Sequence, residues 1–465
     1  METTKKFTDS LTFKGIVVAI LALLLLIPSV MVQNLIEERQ RRSSDTVLKI
    51  NDKWSLSQTV CAPILVVPYT TTVFDTKNKP YVTEEHKLYI TPKNLKIEAN
   101  LQPEERHYGI FKAILYKSGI SLSGNFTNFT SQKIENSVLH FDKAYIAIGV
   151  SDLRGITQNV DFKINDKKLD AQVQVGGNSE STHYDEVAAE QVVEIVASDV
   201  ENVDVIEVGN EEFMGKTLII PLKDVVENNF RFSCNLKLNG SSNIKFIPIG
   251  QTTNVNIGGN WTSPSFVGAF TPEYTIDKDS FNADWNILSF NRNIPEFWSD
   301  QKVSAYTLSD NAFGVSLIET IDHYQQSMRS AKYALMFILL TFVVFFFVEI
   351  FTKKPIHFVQ YLLVGLALIL FYSLLLSISE QLGFGLAYLF ASVATISLIS
   401  VYTYSIIKKC VPTSILAGVL IGLYLFLYTI LQVEDLALLI GSLFLFIVLG
   451  LIMFVSNKIK WNKNE

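Results

Sequence analysis

The chain has 465 residues, 49% of them hydrophobic and only 18% charged, with a formal net charge of −6. That mixture is too apolar for an ordinary soluble protein and too charged for a chain made of membrane spans alone. The negative charge lies in the first 330 residues, because 331–465 carry eight Lys, no Arg and five acids. An acidic main portion argues against nucleic acid as a partner, since phosphate binding needs clustered Lys and Arg.

A membrane-spanning helix needs about 20 apolar residues at about 1.5 Å of rise each. Residues 1–14 precede the first such stretch, Gly15–Val32, which is free of charge and holds Pro28 near its far end. No small-residue pair stands at a cleavage spacing, so the stretch is expected to be an uncleaved anchor. Five more spans are expected within 331–457: Tyr333–Phe351, Phe358–Ser379, Phe384–Ile407, Ile415–Leu431 and Leu436–Val455. A short tail, 458–465, follows.

The loops between the spans are short, so their Lys content reports orientation. Lys353 and Lys354 mark one loop, Lys408 and Lys409 another, and Lys458, Lys460 and Lys463 the tail; Lys5, Lys6 and Lys14 precede the first span. The alternate loops carry Glu380, or Glu434 with Asp435, and no basic residue. Both termini are therefore expected in the cytoplasm and residues 33–330 outside it. Arg39, Arg41 and Arg42 run against this pattern, beside Glu37 and Glu38. Helical spans belong to an inner membrane, because outer-membrane proteins are barrels.

Residues 33–330 show a period of two. Leu95, Ile97, Ala99 and Leu101 alternate with Lys96, Glu98 and Asn100, and Ile120, Leu122 and Phe126 repeat the pattern. Phe232–Leu238 alternates, Asn239-Gly240-Ser241 offers a turn, and Ile244-Lys245-Phe246 resumes, which predicts a hairpin. Two stretches read as helical: 33–50, a candidate stalk continuing the first span, and the acidic 185–200. The second lies in a segment, 181–212, that is a candidate boundary between two lobes. The expected fold class is thus an α+β membrane protein with six transmembrane helices, one N-terminal and five C-terminal, and a large β-rich extracytoplasmic domain.

Residues with evident chemistry are sparse. The six His are scattered, with no H-E-x-x-H, no P-loop and no G-x-G-x-x-G, so neither metal nor cofactor is expected. Gly119–Gly124 has the wrong spacing for a nucleophile elbow. The polar run Gly149–Gly155 follows an apolar strand, and its Ser151, Asp152 and Arg154 could either bind a ligand or form a turn with a structural ion pair. Glu349 is the single ionisable residue inside a span; four residues before Lys353, it is expected to pair with that lysine along the helix. Gly418 and Gly422 form a G-x-x-x-G face through which a homo-oligomer could pack. Cys61 and Cys234 could form a disulfide in an oxidising compartment, although Cys234 also reads as a buried strand residue, alternating with Phe232 and Leu236.

Several stretches resemble the CreD family, bacterial inner-membrane proteins described as cell-envelope integrity proteins. The resemblance runs from Leu23 to about Lys408. It is carried by LLLLIP at 23–28 with Glu38, Arg39 and Arg42; by Trp54, Gln58 and APILVVPY at 62–69; by SDLRGI at 151–156; and by NWTSPSFVG at 260–268. It continues through Asp322, His323, Tyr324 and Gln325, Arg329, Lys332 and Tyr333, then FFFVE at 345–349 and HFVQYLLVGLALILFYSLLLSISE at 357–380. The segment 181–212 is longer than the family pattern, and Ala62 stands where glycine is common.

The resemblance implies a link to envelope stress and to two-component regulation, and assigns no catalytic residues. The leading expectation is a non-enzymatic envelope protein. Its outer domain would bind something through Ser151, Asp152, Arg154, Trp261 and Phe266. Asp322, Arg329, Lys332 and Glu349 would couple that domain to the membrane part. Expected partners are membrane lipid and periplasmic or inner-membrane envelope proteins. Two alternatives stand beside it: transport of a lipid or hydrophobic compound by the bundle, and hydrolysis of envelope polymers near Ser151 and Asp152.

Overall fold

The computed structural model describes residues 11–74, 80–131, 134, 136–174, 217–222, 228–299, 303–317, 323–433 and 436–457. The segment 181–212, the acidic helix expected at 185–200, the tail 458–465 and Asp322 lie outside these residues. The chain divides into two compact units, one formed by Met1–Asp45 with Thr320–Glu465 and the other by Thr46–Glu319.

The first unit holds six helices long and apolar enough to cross a membrane. Helix α1 (Leu11–Leu24) passes through Leu25 into α2 (Leu26–Trp54). The break has a local cause. Pro28 has no N–H to give the Leu24 carbonyl and its ring crowds that oxygen. After a short helix in the other unit, α3 (Ala305–Asp310), the chain re-enters this unit at α4 (His323–Lys332). The remaining spans are α5 (Ala334–Thr352), α6 (Phe358–Leu382), α7 (Phe384–Ile407), α8 (Cys410–Gln432) and α9 (Ala437–Ser456). Helix α8 starts five residues before the expected Ile415 because Pro412 sits in its first turn, where a missing N–H costs nothing.

The first span is not a detached anchor. Ala22 and Leu25 are buried in one cluster with Ile338 and Phe342 of α5 and Val364 and Leu368 of α6. Gly365 makes room for it, since a Cβ there would stand 2.1 Å from Leu25 Cδ1. Higher in the bundle a second cluster joins Ile36, Tyr324, Phe337, Phe371, Tyr388 and Tyr424. Helix α9 stacks its Phe444 on Phe426 and leaves Leu443, Phe446, Leu449 and Phe454 exposed. A Cβ at Gly418 or Gly422 would meet nothing within 4 Å, so none of the described residues packs on the G-x-x-x-G face.

The second unit is two mixed β-sheets packed on one core. The first sheet, ten strands among the described residues, is built around β1 (Gln58–Phe74). Along its main path lie β14 (Ser265–Gly268), β18 (Phe313–Ser316), β12 (Asn243–Ile247), β1, β6 (Tyr145–Val150), β10 (Thr217–Pro221) and β9 (Gln172–Gln174). Farther along, β1 pairs with β2 (Pro80–Ile90) and β5 (Ser137–Leu139), and β2 with β17 (Phe297–Ser299). From Val60 to Val67 β1 is buried without interruption, as its unbroken apolar run requires of a strand covered on both faces.

The second sheet runs β15 (Glu273–Ile276), β16 (Phe281–Leu288), β13 (Thr252–Gly259), β3 (Asn94–Tyr108), β4 (Phe111–Thr127), β11 (Asn229–Ser241), β7 (Asp161–Ile164) and β8 (Lys167–Leu169). Its strands alternate buried and exposed, so one face meets the core and the other meets water, as the period of two in β3 predicts. Leu95, Ile97, Phe162 and Leu236 of this sheet share one buried cluster with Ile64, Ile146 and Phe246 of the first. Among the described residues one buried cluster thus joins the two sheets.

Two expectations fail here. Asn239-Gly240-Ser241 is not a hairpin turn. Strand β11 stays paired to β4 as far as Ser241↔Leu115. Ser242, at φ 61°, then turns the chain out of the second sheet and into β12 of the first, which runs parallel to β1. Gly240 serves close approach, because a Cβ there would stand 2.2 Å from the Tyr116 hydroxyl. Nor do Cys61 and Cys234 form a disulfide. Both are free, buried, and carried by opposite sheets, where burial pushes each thiol up to about 12.

Candidate functional site

The polar run after β6 folds back on the junction between α2 and β1. Ser151-Asp152 leads into a single 3₁₀ turn, Leu153–Gly155, capped by the Asp152 side chain, which accepts from the Arg154 N–H. The Asp152 carboxylate also accepts from Ser55 Oγ and Leu56 N, both at 3.2 Å, and from Arg154 Nε at 3.0 Å. Arg154 Nη1 reaches the Asp52 carboxylate at 3.0 Å and its carbonyl at 3.2 Å. The last turn of α2 is thereby latched to the sheet.

Gln58, fully buried at the head of β1, is the hub. Its Nε2 donates to Ser55 Oγ at 2.7 Å, to the Asp152 carbonyl at 3.0 Å and to the Asn239 carbonyl at 3.2 Å. Its Oε1 lies 3.1 Å from Ser151 Oγ and accepts from the Asp152 N–H at 3.3 Å. Ser151 Oγ accepts in turn from Thr59 N at 2.9 Å. Gly155 is packed so closely that a Cβ would stand 2.3 Å from the Asn239 carbonyl oxygen. Trp54 is the last residue of α2. The Arg106 guanidinium lies 4.7 Å and the Lys117 ammonium 5.9 Å from its ring centre.

Ser151, Asp152 and Arg154 thus meet as a turn and an ion pair, the second of the two roles open to them. Ser151 faces an amide and backbone groups, none of which is a base near neutral pH, so the geometry supplies no activated nucleophile there. Burial works to raise the Asp152 carboxyl. Hydrogen bonds from the Arg154 side chain and from the Leu56 and Arg154 N–H groups outweigh it, and the carboxyl lies below its ordinary range. A depressed carboxyl contributes its stability fully above its unfolded value, about 3.9, and loses it as pH falls through the folded value. The latch is therefore intact at neutral pH and opens in acid. Thermal midpoints measured from about pH 6 down to 3 should fall more steeply for the natural chain than for Asp152→Asn.

Trp261 and Phe266 lie elsewhere, at the β14 edge, three strands from β1. Phe266 packs at a tilt of 38° against Tyr274 of the other sheet, ring centres 4.7 Å apart, and meets Trp285 edge-on at 6.1 Å.

Of the expected coupling residues, Arg329 and Lys332 lie in the last turn of α4. Glu349 is buried near the end of α5, but its partner is not Lys353. Lys353 leaves the helix in the left-handed conformation. The Glu349 carboxylate takes Lys14 of α1 on one oxygen and the Tyr361 hydroxyl of α6, at 3.1 Å, on the other. Close by in sequence, Lys354 donates to the Ile407 carbonyl that ends α7. The opposite ends of the helices meet through Gln33 with the Ala331 carbonyl, at 3.3 Å, and Tyr324 with Glu380, at 3.1 Å. Lys14, Lys354 and the residues after Ile407 therefore share one end of the bundle.

Comparison with known proteins decides the family. The profile described as Inner membrane protein CreD matches residues 10–462. The chain belongs to the CreD family. It is 28% identical over 443 residues to the Inner membrane protein CreD of Escherichia coli (strain K12), covering 94% of this chain and 91% of that one. Among solved structures, the M1 zinc metallopeptidase of Deinococcus radiodurans overlaps 43% of this chain and 38% of its own at a TM-score of 0.18 and 7% identity. Yeast LTA4 hydrolase in complex with bestatin overlaps 42% and 27% at a TM-score of 0.17 and 10% identity. Scores of this size establish no common fold, and no peptidase chemistry is carried over. Among the described residues no three His, Cys, Asp or Glu side chains gather as a metal site would need.

Trp54, Gln58 and SDLRGI are three separate stretches of the family resemblance, and they converge on the latch. The sequence reading missed Asp52 and Ser55 as members of it. A lone glutamine heading a long apolar strand was the available signal, because a buried amide must find partners for all its hydrogen-bonding groups.

Proposed function

We propose that this CreD protein is a non-enzymatic sensor of the inner membrane. Residues 46–319 lie in the periplasm and bind an envelope component, and α2 passes their state to the bundle. The observation that carries this reading is the latch. A single helix, Leu26–Trp54, begins in the membrane unit and ends in a turn held by Asp152, Arg154 and Gln58. A change in the sheets that moved the 151–155 turn would move the helix end with it.

Both termini are cytoplasmic in this proposal. Support comes from the shared end of Lys14, Lys354 and the Lys408–Lys409 loop, which the bias of lysine toward the cytoplasmic face assigns to that side. The opposing Arg41 is matched by Glu37 at 2.8 Å. Arg329 and Lys332, in the last turn before α5, and Asp322 before α4 would transmit the state alongside α2.

The test is an envelope-stress assay in cells carrying the double variant Asp152→Asn with Arg154→Gln. Membrane insertion and protein level should stay normal while tolerance to envelope-directed toxins falls to that of a deletion. Normal tolerance would remove the latch from the function. Arg329→Glu, scored in the same assay, asks the same of the second connection.

A further inference from the structure

We propose that the water-facing side of the second sheet is a binding groove for a glycan strand whose sugars carry carboxylates and acetamido groups. This deepens the sensor reading and rests on its placement of residues 46–319 in the periplasm. One row of outward positions across the central strands is Thr252 of β13, Asn94 of β3, Asn125 of β4 and Arg231 of β11, and the rows beside it also carry the Lys96–Glu98 ion pair. Across β3 and β4 stand Asn94 beside Asn125, and across β4 and β11 Ser123 beside Ser233 and Ser121 beside Asn235. Such groups offer neutral donors and acceptors to sugar hydroxyls and acetamides. Neighbouring strands stand about 4.8 Å apart, so a rod-like ligand lying along the Thr252–Asn94–Asn125 row meets such a group at each step before it reaches Arg231.

The ladder ends in a groove of about 600 Å³ between Asn125 of β4, Arg231 of β11 and Lys163 of β7. That volume falls within the range of small-molecule sites, about 300–1,000 Å³. Arg231 is exposed, and its backbone is pinned by Asn165, whose Oδ1 accepts from the Arg231 N–H at 3.0 Å and whose N–H donates to the Arg231 carbonyl at 3.0 Å. Asn165 makes this contact from a tight turn in which it and Asp166 have φ of 45° and 69°. A guanidinium on so rigid an edge is suited to a two-pronged grip on a carboxylate. Lys163 adds a second positive charge, shared with Asp161 at 3.4 Å. The Asn125 Oδ1 is engaged by Asn94 at 3.0 Å, which turns its NH₂ into the donor available to the ligand.

The experiment uses the full-length protein in detergent and, as probe, a tetrasaccharide of alternating N-acetylglucosamine and N-acetylmuramic acid. A chitin tetrasaccharide is the uncharged control. Binding should be about tenfold weaker for the control, and about tenfold weaker for Arg231→Gln with the acidic probe, with an unchanged thermal midpoint. Asn125→Ala should weaken both sugars, whereas Lys143→Gln, in the 3₁₀ turn Phe141–Lys143 away from this sheet, should weaken neither. Absence of probe binding to the natural chain, or equal binding by Arg231→Gln, overturns the groove. The sensor reading would survive either result, because the latch variants test it in cells without reference to this face.

Discussion

Asp152→Ala should lower the stability of the sheet unit by about 3 kcal/mol and free the end of α2. The size follows from what the side chain holds. Its carboxylate is the acceptor for Ser55 Oγ, for the N–H groups of Leu56 and Arg154, and for the Arg154 guanidinium. Removing it strands several donors at once, and an orphaned donor costs more than a lost bond gains. Arg154→Gln should cost far less, about 0.5 kcal/mol, because that side chain is half exposed and its pairs are screened by water. Urea titration of the full-length protein in detergent measures both. Limited trypsin digestion adds a local readout, since Lys53 lies in the latched turn and should become cleavable in the Asp152→Ala variant alone. Equal midpoints and equal digestion for Asp152→Ala and the natural chain would refute the latch.

Lys14→Ala should be comparably damaging to the bundle, at about 3–4 kcal/mol. It leaves the Glu349 carboxylate, 8% exposed, with the Tyr361 hydroxyl as its remaining partner. A carboxylate in a low-dielectric setting without its cation is the expensive half of a broken buried pair. The exchange of both charges, Lys14→Glu with Glu349→Lys, should recover most of the loss. Thermal unfolding in detergent distinguishes these outcomes. A Lys14→Ala protein as stable as the natural chain, or an exchange no better than either single variant, would show that α1 is not tied to α5 by this pair.

The six spans were legible because lipid imposes a length and a composition that few other segments satisfy. The second sheet was legible because one of its faces meets water, which writes an alternation into β3, β4 and β11. The first sheet was harder to read. Strand β1 is covered on both faces, and its continuous run from Val60 to Val67 carries no period. The hairpin at Asn239–Gly240 failed because a glycine needed for close approach to Tyr116 looks the same, in sequence, as one needed for a turn.

Contacts distant in sequence were the least visible. Glu349 has Lys353 four residues away, and its actual partner, Lys14, is separated from it by 335 positions. The latch was half legible. Its 151–155 turn drew notice as a polar run after an apolar strand, whereas Asp52 and Ser55 became meaningful only once α2 was seen to end there.

The account as a whole depends on which side of the membrane the sheets occupy. Site-directed labelling of intact cells with a membrane-impermeant maleimide reads this directly. One protein carries Lys237→Cys, on the exposed face of β11, and a natural thiol, Cys410, in the first turn of α8 at the basic end of the bundle; Cys61 and Cys234 are buried and silent. The account predicts that the cysteine introduced at position 237 reacts in intact cells and Cys410 reacts only after the inner membrane is opened. Labelling of Cys410 in intact cells, with position 237 protected until lysis, would contradict it.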